Sequence, residues 1–477
     1  MKQASATPSA DRGAVLAIGF GTTVAMWGIA YFSRLFEQSV NNRTVVLILL
    51  FTAAVLLIAC HVTGGYVAGR YTARGLRTAA AAGLVTGLVN LLAVASAFGG
   101  ERPNEIRPIA VAFLPGSVLA AVALGLLGGL LGRRQYRPDR PVPHWAGGLA
   151  AVTAVATFLL LGVGGFVTGY DEGLAVVDWP NTETYNMFLY PLERMTGGVF
   201  LEHAHRLFGS LVGLATLVLA LQTQFTERRV GVRALAWLAL VVVIVQGILG
   251  GLRVTGHFTL SARPADTAPS VLLAIVHGVF GQCVFGVLVA LAVLRSQAWA
   301  AAGPPIPAPG AGTDRAFNLV LVIVLLVQLV LGALVRHFSW ALQVLPYGLA
   351  ARPEQLQAVG QWALTLHITI AVLASLVAVA VGVRAWGLYQ NVAVLARLGS
   401  GLLGLVGLQI GLGIAALVVT GDDSPANKPG LLDVAITTGH QVVGAALLAW
   451  AVMLLLWSHR LVAPAAPAAE ATAPAHA

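Results

Sequence analysis

Long apolar runs recur along the whole chain, and they constrain its fold more than any other feature. Each run is close to the ~20 residues that an α-helix needs to cross the hydrocarbon core of a bilayer. Because the runs do not alternate apolar with polar residues, a helical bundle is favoured over a β-barrel. The twelve runs cover residues 13–33, 43–66, 79–99, 108–132, 146–168, 199–221, 234–256, 270–294, 316–337, 360–384, 396–419 and 434–458. The sequence therefore predicts an all-α polytopic membrane protein with about 12 transmembrane helices.

Charge is scarce and unevenly placed. Only 10% of the residues are charged, against roughly a quarter in a soluble domain. The net charge of +9 is no signal of nucleic-acid binding, because the arginines cluster in alternate loops, as in the cytoplasmic loops of membrane proteins. The clusters include Arg70, Arg74 and Arg77, then Arg133, Arg134, Arg137 and Arg140, then Arg228, Arg229 and Arg233. Since the first 12 residues are polar and form no amphipathic presequence, we expect a multi-pass protein of a bacterial plasma (inner) membrane, with both termini cytoplasmic.

Two Pro-rich segments divide the predicted helices into three sets. The first set of four helices has no repeated motif, and the sequence does not indicate its role. The predicted parts are an extra four-helix membrane segment (1–132), a basic linker (133–145), an N-terminal four-helix bundle (146–300), a flexible Pro/Gly linker (301–315), a C-terminal four-helix bundle (316–460) and a disordered tail (461–477).

Four histidines, His205, His277, His367 and His440, stand near the starts of alternate apolar runs in the last two thirds of the chain. The first and third are 162 residues apart, and the second and fourth 163. A four-helix unit with two histidines is thus used twice, so the last eight helices are predicted to form two pseudo-symmetric bundles. Each histidine is followed four residues later by a small residue, namely Gly209, Gly281, Ala371 or Gly444.

Buried histidines in a membrane need a partner, and two that face each other from different helices commonly hold a haem iron from both sides. A lone membrane histidine is more often an ordinary polar contact, but four in register favour metal ligation. We interpret the small residue after each one as room for a flat macrocycle. Four other histidines, His61, His257, His337 and His459, lie outside the register and are interpreted as interfacial or loop residues, and His203 is interpreted as a polar interfacial residue.

The helices that precede the histidine helices carry a second repeat. Gln is followed four residues later by Gly in three of them, as Gln246/Gly250, Gln328/Gly332 and Gln409/Gly413, whereas the first has Leu160 and Gly164. Two interpretations stay open. Either Gly is a packing notch and Gln an interhelical hydrogen-bonding group, or the notch accommodates the macrocycle and Gln lies near its edge.

Arg253 and Arg336 follow two of these glycines at helix ends. Arginine binds carboxylates through two parallel hydrogen bonds, so both residues are candidates to bind haem propionates. Anchoring at the membrane interface is the alternative.

The segment Glu202-His203-Ala204-His205-Arg206, followed by Gly209, resembles the Glu-x-x-His-Arg signature of the haem A synthase family. Asp178, Trp179 and Pro180 in the preceding loop match that family's Asp-Trp-Pro motif. The other three repeat histidines also fall where the family places them. The resemblance covers roughly residues 146–460.

The resemblance implies an oxidoreductase that converts a ring methyl of haem O to a formyl group, giving haem A for terminal oxidases. It implies that His205 and His277 flank the substrate haem, that His367 and His440 ligate haem b, and that Glu202 is the catalytic carboxylate. Expected partners are haem O, haem A and membrane lipid. A haem O-making farnesyltransferase, oxidase assembly factors and a second copy of the chain are further candidates.

Glu202 and His205 are three residues apart and share a helix face, so a carboxylate beside a haem could move a proton or stabilise developing positive charge. The alternative is a surface salt bridge between Glu202 and Arg206.

At the level of the whole protein, the alternatives are a dihaem cytochrome that passes electrons without modifying haem and a haem-delivery factor. Two local departures from the family stand out: segment 169–199 lacks a cysteine pair, and Val167 replaces an arginine.

Overall fold

The computed structural model describes residues 8–256, 271–344, 353–421 and 429–465. Within these residues, twelve helices are long and apolar enough to cross a membrane. They are α1 (Pro8–Gln38), α2 (Arg43–Tyr71), α3 (Gly75–Val94), α4 (Ala110–Arg133), α5 (Trp145–Gly169), α6 (Gly197–Thr226), α7 (Val230–Val254), α8 (Val271–Leu294), α10 (Ala311–Val344), α11 (Pro353–Leu388), α12 (Ala393–Gly421) and α13 (Leu431–Leu461). A short helix, α9 (Gln297–Ala301), precedes α10. The prediction of an all-α multi-pass membrane protein is confirmed.

The last eight long helices form two closed rings of four. Helix α5 packs against α6, α6 against α7, α7 against α8, and α8 closes on α5. The same pattern joins α10, α11, α12 and α13. Fully buried leucines fill each ring, for example Leu211 and Leu288 in the first and Leu402 and Leu454 in the second. The two predicted bundles are therefore present, and they contact each other through α5, α8, α10 and α13.

Helices α1 to α4 pack closely on one another. Small residues let the backbones of α2, α3 and α4 approach closely, as is usual between membrane helices. A Cβ added at Gly65 would collide with the carbonyl oxygen of Gly125, and one at Gly69 with that of Gly129. Close packing of this kind explains the glycine spacing in segment 64–70.

An aromatic cluster attaches this unit to the first bundle. Tyr31 of α1 stacks on Phe200 of α6, with ring centroids 5.5 Å apart, and makes edge contacts with Phe166 and Phe208. Trp27 contacts Phe208 as well, at 5.5 Å. The extra helices thus pack against both helices that flank the loop between α5 and α6.

The linker before α10 and the start of the predicted tail are more ordered than we expected. Residues Ile306–Ala308 (β1) pair in parallel with Val462–Pro464 (β2). Arg460 donates a hydrogen bond to Gly303 O at 2.8 Å, and its guanidinium also reaches Ala302 O. These hydrogen bonds pair backbone carbonyl and amide groups of the linker that would otherwise bond to solvent. The tail prediction began too early, and its remainder, 466–477, lies outside the described residues.

Candidate functional site

The four repeat histidines form two facing pairs, one in each bundle. The rings of His205 (α6) and His277 (α8) have centroids 6.2 Å apart and planes inclined by 79°. Those of His367 (α11) and His440 (α13) are 6.3 Å apart and inclined by 74°. In each ring of helices the two histidines stand on opposite corners, so their imidazoles meet on the bundle axis.

This spacing fits one metal ion between each pair. An imidazole centroid lies about 1.1 Å from its nitrogen, and a metal–nitrogen bond is about 2.0 Å. Two imidazoles on opposite sides of one metal therefore have centroids about 6 Å apart, close to both measured separations. The buried Nδ1 atoms of His277 and His440 have no hydrogen-bond partner among the described residues. Both pairs are thus suited to hold a haem iron from two sides.

A glycine of the preceding helix packs against each imidazole. A Cβ at Gly250 would lie 2.9 Å from Cε1 of His277. At the other three notches the nearest atom is Nε2 of His205 at 3.2 Å from Gly164, Cε1 of His367 at 3.1 Å from Gly332, and Cε1 of His440 at 3.0 Å from Gly413. The glycine notch therefore makes room for the imidazole itself, an interpretation that we had not considered.

The repeated glutamines bind the histidine residues across the same interface. Gln246 Nε2 donates to the backbone carbonyl of His277 at 2.9 Å, and Gln328 Nε2 donates to that of His367 at 2.9 Å. Gln409 Nε2 lies 3.4 Å from Nε2 of His440. The interpretation of glutamine as an interhelical hydrogen-bonding group is confirmed.

The small residues after the histidines differ in their surroundings. A Cβ at Gly281 would lie 2.9 Å from Gln246 Nε2, and one at Gly444 would lie 3.4 Å from Gln409 Nε2. These two glycines therefore make room for the glutamine amide. By contrast, a Cβ at Gly209 would meet no atom within 4 Å.

Glu202 is buried and ion-paired. Its side chain is 4% exposed, and Oε1 lies 2.6 Å from Nη2 of Arg206, whose side chain is 8% exposed. The second carboxylate oxygen accepts a hydrogen bond from Val176 N–H at 3.1 Å. The pair we considered as an alternative is present, but it is not a surface salt bridge. The carboxylate is therefore held by two hydrogen-bond donors in a site of low dielectric.

Arg206 ties the α5–α6 loop, residues 170–196, down over Glu202. Its guanidinium donates to the carbonyl oxygens of Val176 at 2.6 Å, Asp178 at 2.7 Å and Asn181 at 2.7 Å. The Asp178 carboxylate in turn accepts the backbone N–H groups of residues 183 and 184, at 2.9 and 2.7 Å. The Asp-Trp-Pro segment therefore forms part of a cover held by one buried arginine.

His203 also holds this loop. It is fully buried rather than interfacial, with Nδ1 3.0 Å from Thr182 Oγ1 and its ring 5.2 Å from that of Tyr190. The Tyr190 hydroxyl donates to Glu183 at 2.7 Å. Burial and the neighbouring Glu183 carboxylate raise the pKa of Tyr190. Sequence reasoning missed the role of His203 because its partners lie in the loop, not on its own helix.

The loop is held from its other side by the extra helices. Asn186 N–H donates to Asn104 Oδ1 at 2.9 Å, and Tyr185 Oη donates to the carbonyl of Glu101. Three further contacts are Arg107 to Glu193 at 3.0 Å, Arg34 to the Met195 carbonyl at 3.3 Å, and Gly197 N–H to Gln38 Oε1 at 3.0 Å. Segment α1–α4 and its connections thus brace the cover of the site in the first bundle.

The two arginines lie beside a small cavity that both bundles line. Arg336 of α10 pairs with Asp171 at 2.7 Å and donates to the Thr168 carbonyl, so it joins the bundles rather than anchoring at an interface. Arg253 of α7 lies against Gly173, and its buried Nε has no hydrogen-bond partner among the described residues. His337 is buried beside them at 9% exposure, although we had expected it in an interfacial or loop position. His257 lies outside the described residues.

Taken together, the fold and the site define a polytopic membrane protein with a facing histidine pair in each of two duplicated four-helix bundles. A family model described as Cytochrome oxidase assembly protein (COX15-CtaA) matches residues 148–452. The chain therefore belongs to this family, the haem A synthase family, whose members act on haem in haem A biosynthesis. No curated protein matches the chain. The predicted resemblance is confirmed, and helices α1 to α4 lie before the matched region.

Proposed function

We propose that this protein is a haem A synthase-type oxidoreductase that converts a ring methyl of haem O to a formyl group. One observation carries the proposal: only one of the four histidines has a carboxylate one turn before it. Glu202 precedes His205 by three residues, whereas the corresponding residues before His277, His367 and His440 are Ala274, Leu364 and Thr437. A duplicated scaffold with an acid one turn before only one of its four histidines is suited to chemistry in one bundle and electron transfer in the other.

In this proposal His205 and His277 hold the substrate haem O in the bundle of residues 146–300. His367 and His440 hold haem b in the bundle of residues 316–460. The nearly equal ring separations, 6.2 and 6.3 Å, support iron ligation in both. Haem b, when bound, would carry electrons during the reaction.

Glu202 is proposed to act on the methyl that is oxidised. Two successive hydroxylations, each a two-electron oxidation that needs an external oxidant and a source of oxygen, would convert the methyl to a geminal diol, which loses water to leave the formyl group. The carboxylate would take up or return a proton at the hydroxylated carbon, or stabilise positive charge that develops there. Arg206 holds the carboxylate at 2.6 Å, and the covering loop keeps bulk water from the reacting carbon.

Arg253 is proposed to bind a propionate of a haem. In the part of the chain that the structure describes, its buried Nε has no hydrogen-bond partner, and the guanidinium lies beside the cavity between the bundles. Arg336 would reinforce the same region, although Asp171 already occupies one of its donors. A buried arginine is expected to form a charge-assisted pair with a carboxylate.

We further propose that the protein resides in a bacterial plasma membrane with both termini in the cytoplasm, as the arginine-rich loops indicate. A haem O-making farnesyltransferase and oxidase assembly factors remain the proposed protein partners.

A dihaem cytochrome is the second candidate. The nearly equal centroid separations of the two histidine pairs favour it, because two permanent haems would need two similar sites. It offers no reason for a buried Glu202 in only one bundle.

The haems extracted from the purified protein distinguish the two. The protein is expressed with and without a source of haem O, and the haems are identified by chromatography and mass. A synthase yields haem b alone without the source, and haem b with haem O, its hydroxylated form and haem A with it. Two haem b per chain under both conditions would establish the cytochrome instead.

Variants test the carboxylate in the same assay. Glu202→Gln is expected to keep both haems but to lower haem A formation at least about 100-fold, the usual effect of losing a general acid or base. Glu227→Gln, on a carboxylate that follows α6, serves as the matched control. Unchanged haem A formation in Glu202→Gln would remove this residue from the mechanism.

A further inference from the structure

The four imidazoles do not sit on their glycines in the same way. His277, His367 and His440 each present Cε1 to the glycine of the preceding helix, at 2.9, 3.1 and 3.0 Å from the Cβ position. His205 instead presents Nε2 at 3.2 Å and Cδ2 at 3.4 Å to Gly164. Its ring is therefore rotated relative to the other three, with Nε2 directed at α5.

The difference coincides with a missing amide. On the helices that face the other three histidines, Gln246, Gln328 and Gln409 stand one turn before the glycine. The first two amides lie 2.9 Å from the backbone carbonyl oxygens of His277 and His367, and the third lies 3.4 Å from Nε2 of His440. On α5 the corresponding residue is Leu160, which packs in the apolar core of the first bundle. Leucine has no donor or acceptor, so Leu160 cannot give the His205 residue the amide contact that the other three histidines have.

The helix turn that follows His205 also has more open space than the equivalent turns after His277 and His440. At Gly281 and Gly444 the nearest side-chain atom is the glutamine amide, but a Cβ at Gly209, the equivalent residue after His205, would meet nothing within 4 Å. Among the described residues, the helix turn after His205 is therefore less closely packed than the turns after His277 and His440. Partners outside the first coordination sphere normally fix the orientation of a ligating imidazole.

We propose that His205 is the exchangeable ligand of the first bundle, and that the glutamine amides are positioning residues that hold the backbone or side chain of the other three histidines in place. This inference rests on the proposed function, because only a substrate haem has to enter and leave at each turnover. Rotation of the His205 side chain would move Nε2 between Gly164 and the face of His277. Haem b, held by two restrained histidines, would stay bound.

Haem release tests this assignment. The full-length protein, loaded with haem O and haem b in detergent, is mixed with excess apomyoglobin, and the release rate of each haem is followed by absorbance. In the wild type we expect haem O to leave at least about tenfold faster than haem b. Leu160→Gln should slow haem O release about fivefold, within the range of one added hydrogen bond, and should leave haem b release unchanged.

Two further variants complete the test. Leu159→Gln puts the same amide on the face of α5 that contacts Gly28 of α1, and it should not alter haem O release. Gln328→Leu removes an existing amide and should speed haem b release about fivefold. The low-spin spectrum of haem b reports correct folding of the first-bundle variants.

The inference is overturned, while the proposed function stays intact, if Leu160→Gln releases haem O at the wild-type rate. The same holds if Gln328→Leu releases haem b at the wild-type rate. Failure of haem O to bind to the first bundle of the wild type overturns both.

Discussion

The contact between glycine and imidazole leads to a sharp prediction for Gly413. A Cβ at this position would lie 3.0 Å from Cε1 of His440, whereas carbon atoms in contact rest about 3.5–4.0 Å apart. The substitution Gly413→Ala should therefore push the ring by roughly 0.5–1.0 Å. A free imidazole could accept that shift, but one held on a metal tolerates only about 0.2 Å in its bond length.

We expect Gly413→Ala to weaken haem b binding about 10- to 100-fold, the usual effect of disturbing the support of a metal ligand. Gly411→Ala is the matched control, because it lies on the same helix and its Cβ would meet nothing within 4 Å. Both changes improve helix propensity equally, so a difference between them reports the contact with His440.

The assay is titration of the purified variants with haem b, followed through the low-spin absorption bands. The content of haem b per chain is measured in parallel. If Gly413→Ala retains the haem content and spectrum of the Gly411→Ala control, the notch does not position His440 as a ligand.

Three further predictions concern the cover of the site and a connection between helices. Replacing Arg206 by Ala leaves the buried Glu202 carboxylate and three loop carbonyls without their donor and should cost about 3–5 kcal/mol, visible as a lower thermal unfolding temperature; a loss below about 1 kcal/mol would contradict a buried pair. Tyr185→Phe removes the bond to the Glu101 carbonyl and should speed protease cleavage within the α5–α6 loop without altering haem content; equal cleavage would mean that the extra helices do not brace it. The Arg229 guanidinium lowers the pKa of Glu227 to about 2, so its stabilising effect is complete above the ordinary carboxyl pKa and is lost as the pH falls towards 2; the stability difference between wild type and Glu227→Gln should stay constant from about pH 5 to 8 and shrink below about pH 4.

Duplication followed by divergence explains how one scaffold holds two different sites. The facing imidazoles, the glycine notches and the amides recur in both bundles. What distinguishes the first bundle is Glu202, its partner Arg206 and the loop folded over them. In the second bundle the residues in register with this pair are Leu364 and Ile368, so no acid stands one turn before His367.

The sequence by itself determined the features that depend on local spacing. Helices were predicted from runs of apolar residues, because a membrane-spanning segment satisfies its own backbone hydrogen bonds. The duplication followed from the separations of His205, His277, His367 and His440, and the shared face of Glu202 and His205 from their three-residue spacing.

Only the tertiary structure decided which atoms meet across helices and loops. Gly413 contacts His440, which is 27 positions away. His203 contacts Thr182 of the covering loop, which is 21 positions away. Arg336 pairs with Asp171, which is 165 positions away. Such contacts depend on the rotation and register of packed helices and on the path of the loop. Apolar periodicity cannot specify those quantities, because a membrane helix is apolar on every face and many packings bury it equally well.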